Sequence, residues 1–281
     1  MPPPPGCNVE LATRVLTAFL REEASKVGFQ HAVLGLSGGI DSALVLELAV
    51  RAFGQDRVTA IAMPYRGSDP ASLFLARQSA ANAGAELIEV DISPMADAHL
   101  SAAGDLNDSE DAAVRLRKGN IMARTRMIVL YDYSARKRAL VLGTSNKTEL
   151  LLGYGTIFGD MASAINPIGD LYKSQVVALS RHLGVPQAII DRPPTADLWQ
   201  GQTDEQELGF SYDEVDSLLH LAIDRRYPEE KLIQAGFSPS FCQKVSALVQ
   251  RNQYKRRPPL IAKLAHRTMN LDFRYARDWG C

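Results

Sequence analysis

His31-Ala32-Val33-Leu34-Gly35-Leu36-Ser37-Gly38-Gly39-Ile40-Asp41-Ser42 runs from an apolar, strand-like segment through a glycine turn into a helix-like stretch at residues 43–53. A strand, a glycine turn and a helix start in that order form a phosphate site. Adjacent glycines let the backbone fold tightly, and the unpaired amides and positive dipole end of the helix attract an anion. Ser37 and Ser42 add hydroxyl donors. Asp41 sets a carboxylate against the same phosphates, which is repulsive unless a cation such as Mg²⁺ lies between them. The segment lacks the lysine of a Walker-type loop. Ordinary turn and cap chemistry would also use these residue types, so the flanking strand and helix carry the reading.

Outward from this loop, short apolar runs follow at residues 58–63, 87–90 and 139–142, separated by helix-like segments. Strands alternating with helices predict an α/β fold, a doubly wound parallel sheet with flanking helices that binds ligands at the carboxyl ends of its strands. Upstream, Leu11, Val15, Leu16, Phe19 and Leu20 recur at helical spacing within residues 8–27, which predicts an amphipathic helix covering the sheet. A polar, helix-rich stretch at 96–118 precedes a longer helix at 119–138. From about Pro193 the alternation stops. The acidic, Gln-rich segment 203–209 reads as a mobile loop, and 212–281 as helical and then irregular. The chain is expected to be one domain over 1–281, with an α/β core at 8–210 and a helical C-terminal extension at 211–281.

At 281 residues, 46% hydrophobic and 22% charged, the chain has ordinary soluble-globular composition and ample length for a core. A net charge of −1 provides no global field to recruit nucleic acid or a membrane surface. Cys7, Cys242 and Cys281 show no metal-binding spacing, which fits a reduced, cytoplasmic setting. Residues 1–6 lack the basic and apolar regions of a signal peptide and read as a frayed tail. No stretch approaches the roughly 18 consecutive apolar residues of a membrane span.

Gly143-Thr144-Ser145-Asn146-Lys147-Thr148-Glu149 follows the last strand and should emerge near the first loop, bringing Thr144 and Glu149 toward Asp41. Two carboxylates from separate strand ends can share one Mg²⁺. A helix cap at Thr144 or Ser145, with Glu149 in the first turn, accounts for the segment equally simply. Arg66, in the loop leaving the second strand, lies on the same sheet edge and is a candidate phosphate contact. Lys173 stands at a helix start, where a cation is a poor dipole partner and a phosphate would explain it better. Thr195 follows the rigid Pro193-Pro194, which would hold its hydroxyl in place, and a plain helix N-cap accounts for it equally simply.

The SGGIDS loop resembles the pyrophosphate loop of the N-type ATP pyrophosphatases, which split ATP between its α- and β-phosphates. GTSNKTELLLGYGTIFGD (143–160), NPIGDLYKSQVVALSRHLGVP (166–186) and RPPTADLWQGQTDEQELGFSYDEVD (192–216) together resemble NAD synthetase, the ligase that amidates nicotinic acid adenine dinucleotide. The resemblance implies an adenine nucleotide alpha hydrolase-like fold. It implies ATP binding by Gly35, Leu36, Ser37, Gly38, Gly39, Ile40, Asp41 and Ser42, with Thr144, Lys173 and Thr195, and Mg²⁺ binding by Asp41 and Glu149. Arg124 matches the family arginine that contacts the dinucleotide, and Tyr254 and Lys255 lie in a weaker matching segment at 254–259. Asp160 matches the carboxylate implicated in holding ammonium, where an anion attracts NH₄⁺ and accepts its proton. Asp41, Lys173 and Asp160 are thus the candidate catalytic groups. The family also implies a homodimer with the dinucleotide bound across its interface.

This sequence departs from the pattern at Ile157, where a lysine is usual, at Ala164, where an aspartate is usual, and at Tyr254, where a histidine is usual. Gly159-Asp160-Met161-Ala162 is closer to the synthetase part of glutamine-dependent members. A fused amidase would not fit in this length, so free ammonia is the expected nitrogen donor and a separate glutamine amidase the alternative. An adenylating ligase for another carboxylate is a second reading. A non-catalytic ATP-binding sensor is a third, and it would need neither Glu149 nor Asp160.

Overall fold

A computed structural model describes residues 2–104, 111–195, 204–257 and 259–269. In chain order its elements are α1 (Val9–Lys26), β1 (His31–Gly35), α2 (Ile40–Phe53), β2 (Val58–Ala62), α3 (Pro70–Ala83), β3 (Glu86–Glu89), α4 (Ser93–Ala102), α5 (Ala112–Lys137) and β4 (Ala139–Leu142). There follow α6 (Lys147–Leu152), α7 (Lys173–Leu183), α8 (Gln187–Ile190), α9 (Asp204–Leu208), α10 (Tyr212–Leu219), α11 (Glu229–Gln234) and α12 (Pro239–Arg251). The sheet is parallel throughout in the order β3-β2-β1-β4. Ile165 extends it beyond β4 through a single parallel bridge to Leu142. Because β1 is followed by β2 on one side and flanked by β4 on the other, the chain changes direction at β1, and the crevice of such a fold opens between the ends of β1 and β4.

Alternation along each strand divides the core. Leu34, Ala60, Ala62 and Leu142 pack with α2 and α7 on one face; Val33, Ile61 and Val141 pack with Ile92, Ala96, Met122 and Val129 of the α4–α5 side on the other. Helix α2 is buried along nearly its whole length. Helix α1 therefore lies outside it, packed against α2 and α7 rather than covering the sheet. Leu16 and Leu20 face inward, whereas Leu11, Val15 and Phe19 are exposed. The long helix starts at Ala112 rather than Gly119, because the Asp111 side chain accepts the Ala113 N–H at 2.7 Å and caps it.

The C-terminal helices build a separate hydrophobic cluster from Phe210, Tyr212, Val215, Leu218, Phe237 and Val245, joined to the α/β part through Leu152 and Tyr172. Residues 204–208 are helical, which corrects the expected mobile loop for those residues; Thr203 lies outside the described residues. The tail contributes a contact of its own, since the Gly6 carbonyl accepts from Gln175 Nε2 at 3.1 Å.

Candidate active site

The glycine loop is shaped by its own side chains. Ser42 Oγ donates to the Gly39 carbonyl at 3.0 Å and accepts the Ser37 N–H at 3.2 Å, while Ser37 Oγ accepts the Gly39 N–H at 3.2 Å. The hydroxyls read as phosphate donors thus also hold the turn. Gly38 is left-handed, with φ +78°, and a Cβ there would lie 2.2 Å from the Ser72 carbonyl oxygen, so only glycine fits. No side chain caps α2 at its N-terminus, which leaves the first-turn amides to a ligand.

The loop opens into a cleft of about 820 Å³ at the ends of β1 and β4. Its walls include Gly35, Leu36, Ser37, Gly39, Ile40, Asp41 and Ser42, with Thr144, Glu149, Lys173, Thr195, Arg124, Asp160, Tyr254 and Lys255. Gly38 and Arg66 are not among them. Arg66 turns to Asp97, at 2.8 Å, and lies over the Tyr65 ring, while remaining 57% exposed. Of the departures, Ile157 lines the cleft and Ala164 does not.

At the centre of the cleft, Lys173 Nζ lies 2.5 Å from Asp41 Oδ2 and 3.7 Å from Glu149 Oε1. Asn146 Nδ2 donates to Asp41 Oδ1 at 2.9 Å, and the Asn146 N–H donates to Glu149 Oε2 at 3.1 Å. Asn146 and Glu149 also form the reciprocal cap of α6, so the cap falls on Asn146 rather than on Thr144 or Ser145. Burial alone would lower the Lys173 pKa, but Asp41 and Glu149 outweigh it and hold it above the ordinary lysine value. Burial, followed by repulsion from Asp41, raises the Glu149 pKa well above the usual carboxylate range. Within the protein, Lys173 is thus matched by two carboxylates.

Residues that sequence reasoning missed complete the surroundings. Asp204 is buried and accepts from Tyr154 Oη at 3.0 Å and Tyr212 Oη at 2.9 Å, which fixes α9 at the cleft wall. The Tyr212 ring lies 5.2 Å from Lys173 Nζ. Thr148 Oγ1 donates to Asp216 Oδ1 at 2.5 Å and accepts the Lys173 N–H at 3.1 Å; Asp216 Oδ2 accepts the Ser174 N–H at 2.8 Å. The spacing of Asn146 and Glu149 was a visible cap signal. The remaining pairings join distant segments and leave no local signal.

Around the second half of the cleft, Asp160 Oδ1 accepts the Thr156 N–H at 2.8 Å. The carboxyl keeps contact with solvent through the cleft, while surrounding protein raises its pKa. Arg124 is half-buried, and its guanidinium donates to the Ile157 carbonyl at 3.4 Å. Lys255 Nζ donates to the carbonyls of Gly153 and Gly155 at 2.7 and 2.9 Å, and Arg256 donates to those of Leu150, Leu151 and Val249. The C-terminal basic cluster thus closes the end of α6. Residues 12–259 match the NAD synthase family model. The chain belongs to the NAD synthase family.

An NH(3)-dependent NAD(+) synthetase from Chlorobium phaeovibrioides is 56% identical over 272 residues, covering 97% of this chain and 96% of that one. Among solved structures, the NH3-dependent NAD synthetase of Campylobacter jejuni, in complex with nitrate, is similar at a TM-score of 0.76 and 37% identity. It covers 92% of this chain and all of its own. The NMN synthetase of Francisella tularensis superposes at a TM-score of 0.80 with 31% identity and the same coverage. Membership of the family agrees with the parallel sheet, the glycine loop and the order of motifs along the chain.

Proposed function

We propose that this chain catalyses the ATP-dependent amidation of nicotinic acid adenine dinucleotide to NAD, with ammonia as nitrogen donor. One observation carries the reading: a single cleft brings the uncapped α2 amides, the Asp41–Lys173–Glu149 cluster and the Asp160 carboxylate together. The ammonia-dependent relatives support it, as does the cleft volume, which lies toward the upper end for small-molecule sites.

A nicotinate carboxylate oxygen attacks the α-phosphorus of ATP, and the bond to the bridging oxygen breaks with release of pyrophosphate into the glycine loop. Ammonia then attacks the acyl carbon of the mixed anhydride, and AMP leaves. The α2 amides and Lys173 stabilise charge on the departing phosphates. Asp160 holds ammonium and takes a proton before attack. Arg124 binds the dinucleotide, with Tyr254 at the rim, while Thr144 and Thr195 line the nucleotide side.

Mg²⁺ fits the acidic pair. Asp41 and Glu149 present hard oxygen donors close enough together to share one cation, as they already share the Lys173 ammonium. Among the described residues no group of three or more Asp, Glu, His or Cys side chains forms a metal site, so phosphate oxygens and water would complete the coordination. Bound there, Mg²⁺ supplies charge neutralisation at the phosphates. The reading includes a homodimer, supported by exposed Ile128 and Tyr131 on the α5 face that carries Arg124.

Product analysis tests the assignment. AMP, pyrophosphate and NAD should form together with ammonium as the sole nitrogen source, and glutamine should support little turnover. ADP and phosphate as products would refute it, and ATP binding without any substrate-stimulated product would favour the sensor reading.

A further inference from the structure

The four carboxylate oxygens of Asp41 and Glu149 face protein donors. Asp41 Oδ1 and Glu149 Oε2 face Asn146, and the remaining two, Asp41 Oδ2 and Glu149 Oε1, flank Lys173 Nζ at 2.5 and 3.7 Å. A divalent cation held by Asp41 and Glu149 would have to share these acids with the ammonium. The lysine side chain is only 5% exposed, with the Tyr212 ring centroid 5.2 Å from its ammonium, so the ammonium is seated against the acids in buried surroundings. An ammonium and a divalent cation cannot occupy one position, and at neighbouring positions they repel.

We infer that Lys173 is a resident counter-cation which a divalent metal must displace, so that metal and nucleotide bind together and the nucleotide-free protein resists metal. The inference rests on the proposed assignment of Asp41 and Glu149 as metal ligands. A terminal polyphosphate in the adjoining glycine loop gives the ammonium another anion to pair with, which frees the acids for the metal. The linkage is reciprocal: whatever draws Lys173 from the acids strengthens metal binding by the same factor that metal strengthens its binding. The buried lysine thereby offsets one charge of the acid pair before nucleotide arrives.

Binding of Mn²⁺ to the full-length protein without nucleotide, read from the paramagnetic resonance signal of free Mn²⁺, tests this without any turnover. Lys173→Gln and Lys173→Met, with folding verified by circular dichroism, should each bind Mn²⁺ about tenfold or more tightly than the wild type, an ordinary site–site coupling. Adding Asp41→Asn to either variant should abolish the gain. Equal Mn²⁺ affinity in the wild type and in either folded variant overturns the inference. A parallel series with a non-hydrolysable ATP analogue separates it from the assignment beneath it. If Asp41→Asn and Glu149→Gln both retain the analogue-dependent Mn²⁺, the metal assignment itself falls. If both lose it while the lysine variants show no gain, only the counter-cation role falls.

Discussion

At the scale of single residues, the acidic pair is held by its neighbours, and each change has a separable consequence. Asp41→Asn and Glu149→Gln keep the shape and the Asn146 contacts but remove charge from the proposed metal site. Turnover should fall on the order of 10²-fold or more in each, the scale seen when preorganised charge stabilisation is lost, while circular dichroism stays unchanged. Near-normal rates in both at saturating Mg²⁺ would remove the pair from the mechanism. Asp160→Asn is subtler. It preserves an acceptor for the Thr156 N–H but not the attraction for ammonium, so the KM for ammonium should rise roughly tenfold, consistent with loss of a charge-assisted hydrogen bond, and the KM for ATP should hold. A rise in both KM values would place Asp160 in the architecture of the cleft instead. Lys255, which lines the cleft, also has two carbonyl partners that make it a fastener of residues 153–155, so Lys255→Ala should perturb that turn as well as the substrate.

Elements carry the site through their ends. Gln175 of α7 accepts the Tyr172 N–H, but the next two amides, of Lys173 and Ser174, are capped from outside the helix by Thr148 on α6 and Asp216 on α10, both fully buried. Thr148 is the chain neighbour of Glu149, and Ser174 that of Lys173, so this one junction spaces the acid from the ammonium. Thr148→Val should lower unfolding stability by about 1–2 kcal/mol, as for a lost cap with a buried acceptor left unpaired, and Thr148→Ser should restore most of it. Urea denaturation decides between them; equal stability of Val and Ser variants would mean the hydroxyl is idle. Such junctions explain what the sequence could not disclose. The glycine loop and the strands were legible because their signals lie within a few residues: apolar runs, paired glycines and an adjoining helix. Lys173 was legible as an anomalous cation but not in its partner, because Asp41 lies 132 residues away. Residues 204–208 read as a loop because their anchors are Tyr154 and Tyr212, and an acidic segment with no apolar period gives no hint of a buried aspartate. Arg66 lies in the loop leaving β2, as its sequence position indicates, but its pairing with Asp97 of α4, 31 residues on, left no local signal.

For the whole molecule, the fold alone leaves the substrate open, because an NMN synthetase and an NAD synthetase superpose on it about equally well. What separates a dinucleotide from a mononucleotide is contact with the second nucleotide, and groups built to bind it are left unpaired by the shorter substrate. Arg124 lies on α5, and one and two turns further along the same face Ile128 and Tyr131 are 60% and 41% exposed. A second copy meeting this face would cover the apolar pair and enclose the arginine, making the dinucleotide contact depend on assembly. Ile128→Glu puts a charge in that seam without touching the glycine loop or the acids. It should shift the protein to a monomer by sedimentation velocity, leave binding of an ATP analogue within about twofold, and lower kcat/KM for the dinucleotide by roughly tenfold or more, as expected when a charge is buried unpaired at an interface and its contacts are lost. The wild type should prefer the dinucleotide over the mononucleotide by about 10²-fold, and the variant should lose much of that preference. A monomeric wild type, or a monomeric variant with its preference intact, would show that each chain recognises the second nucleotide unaided.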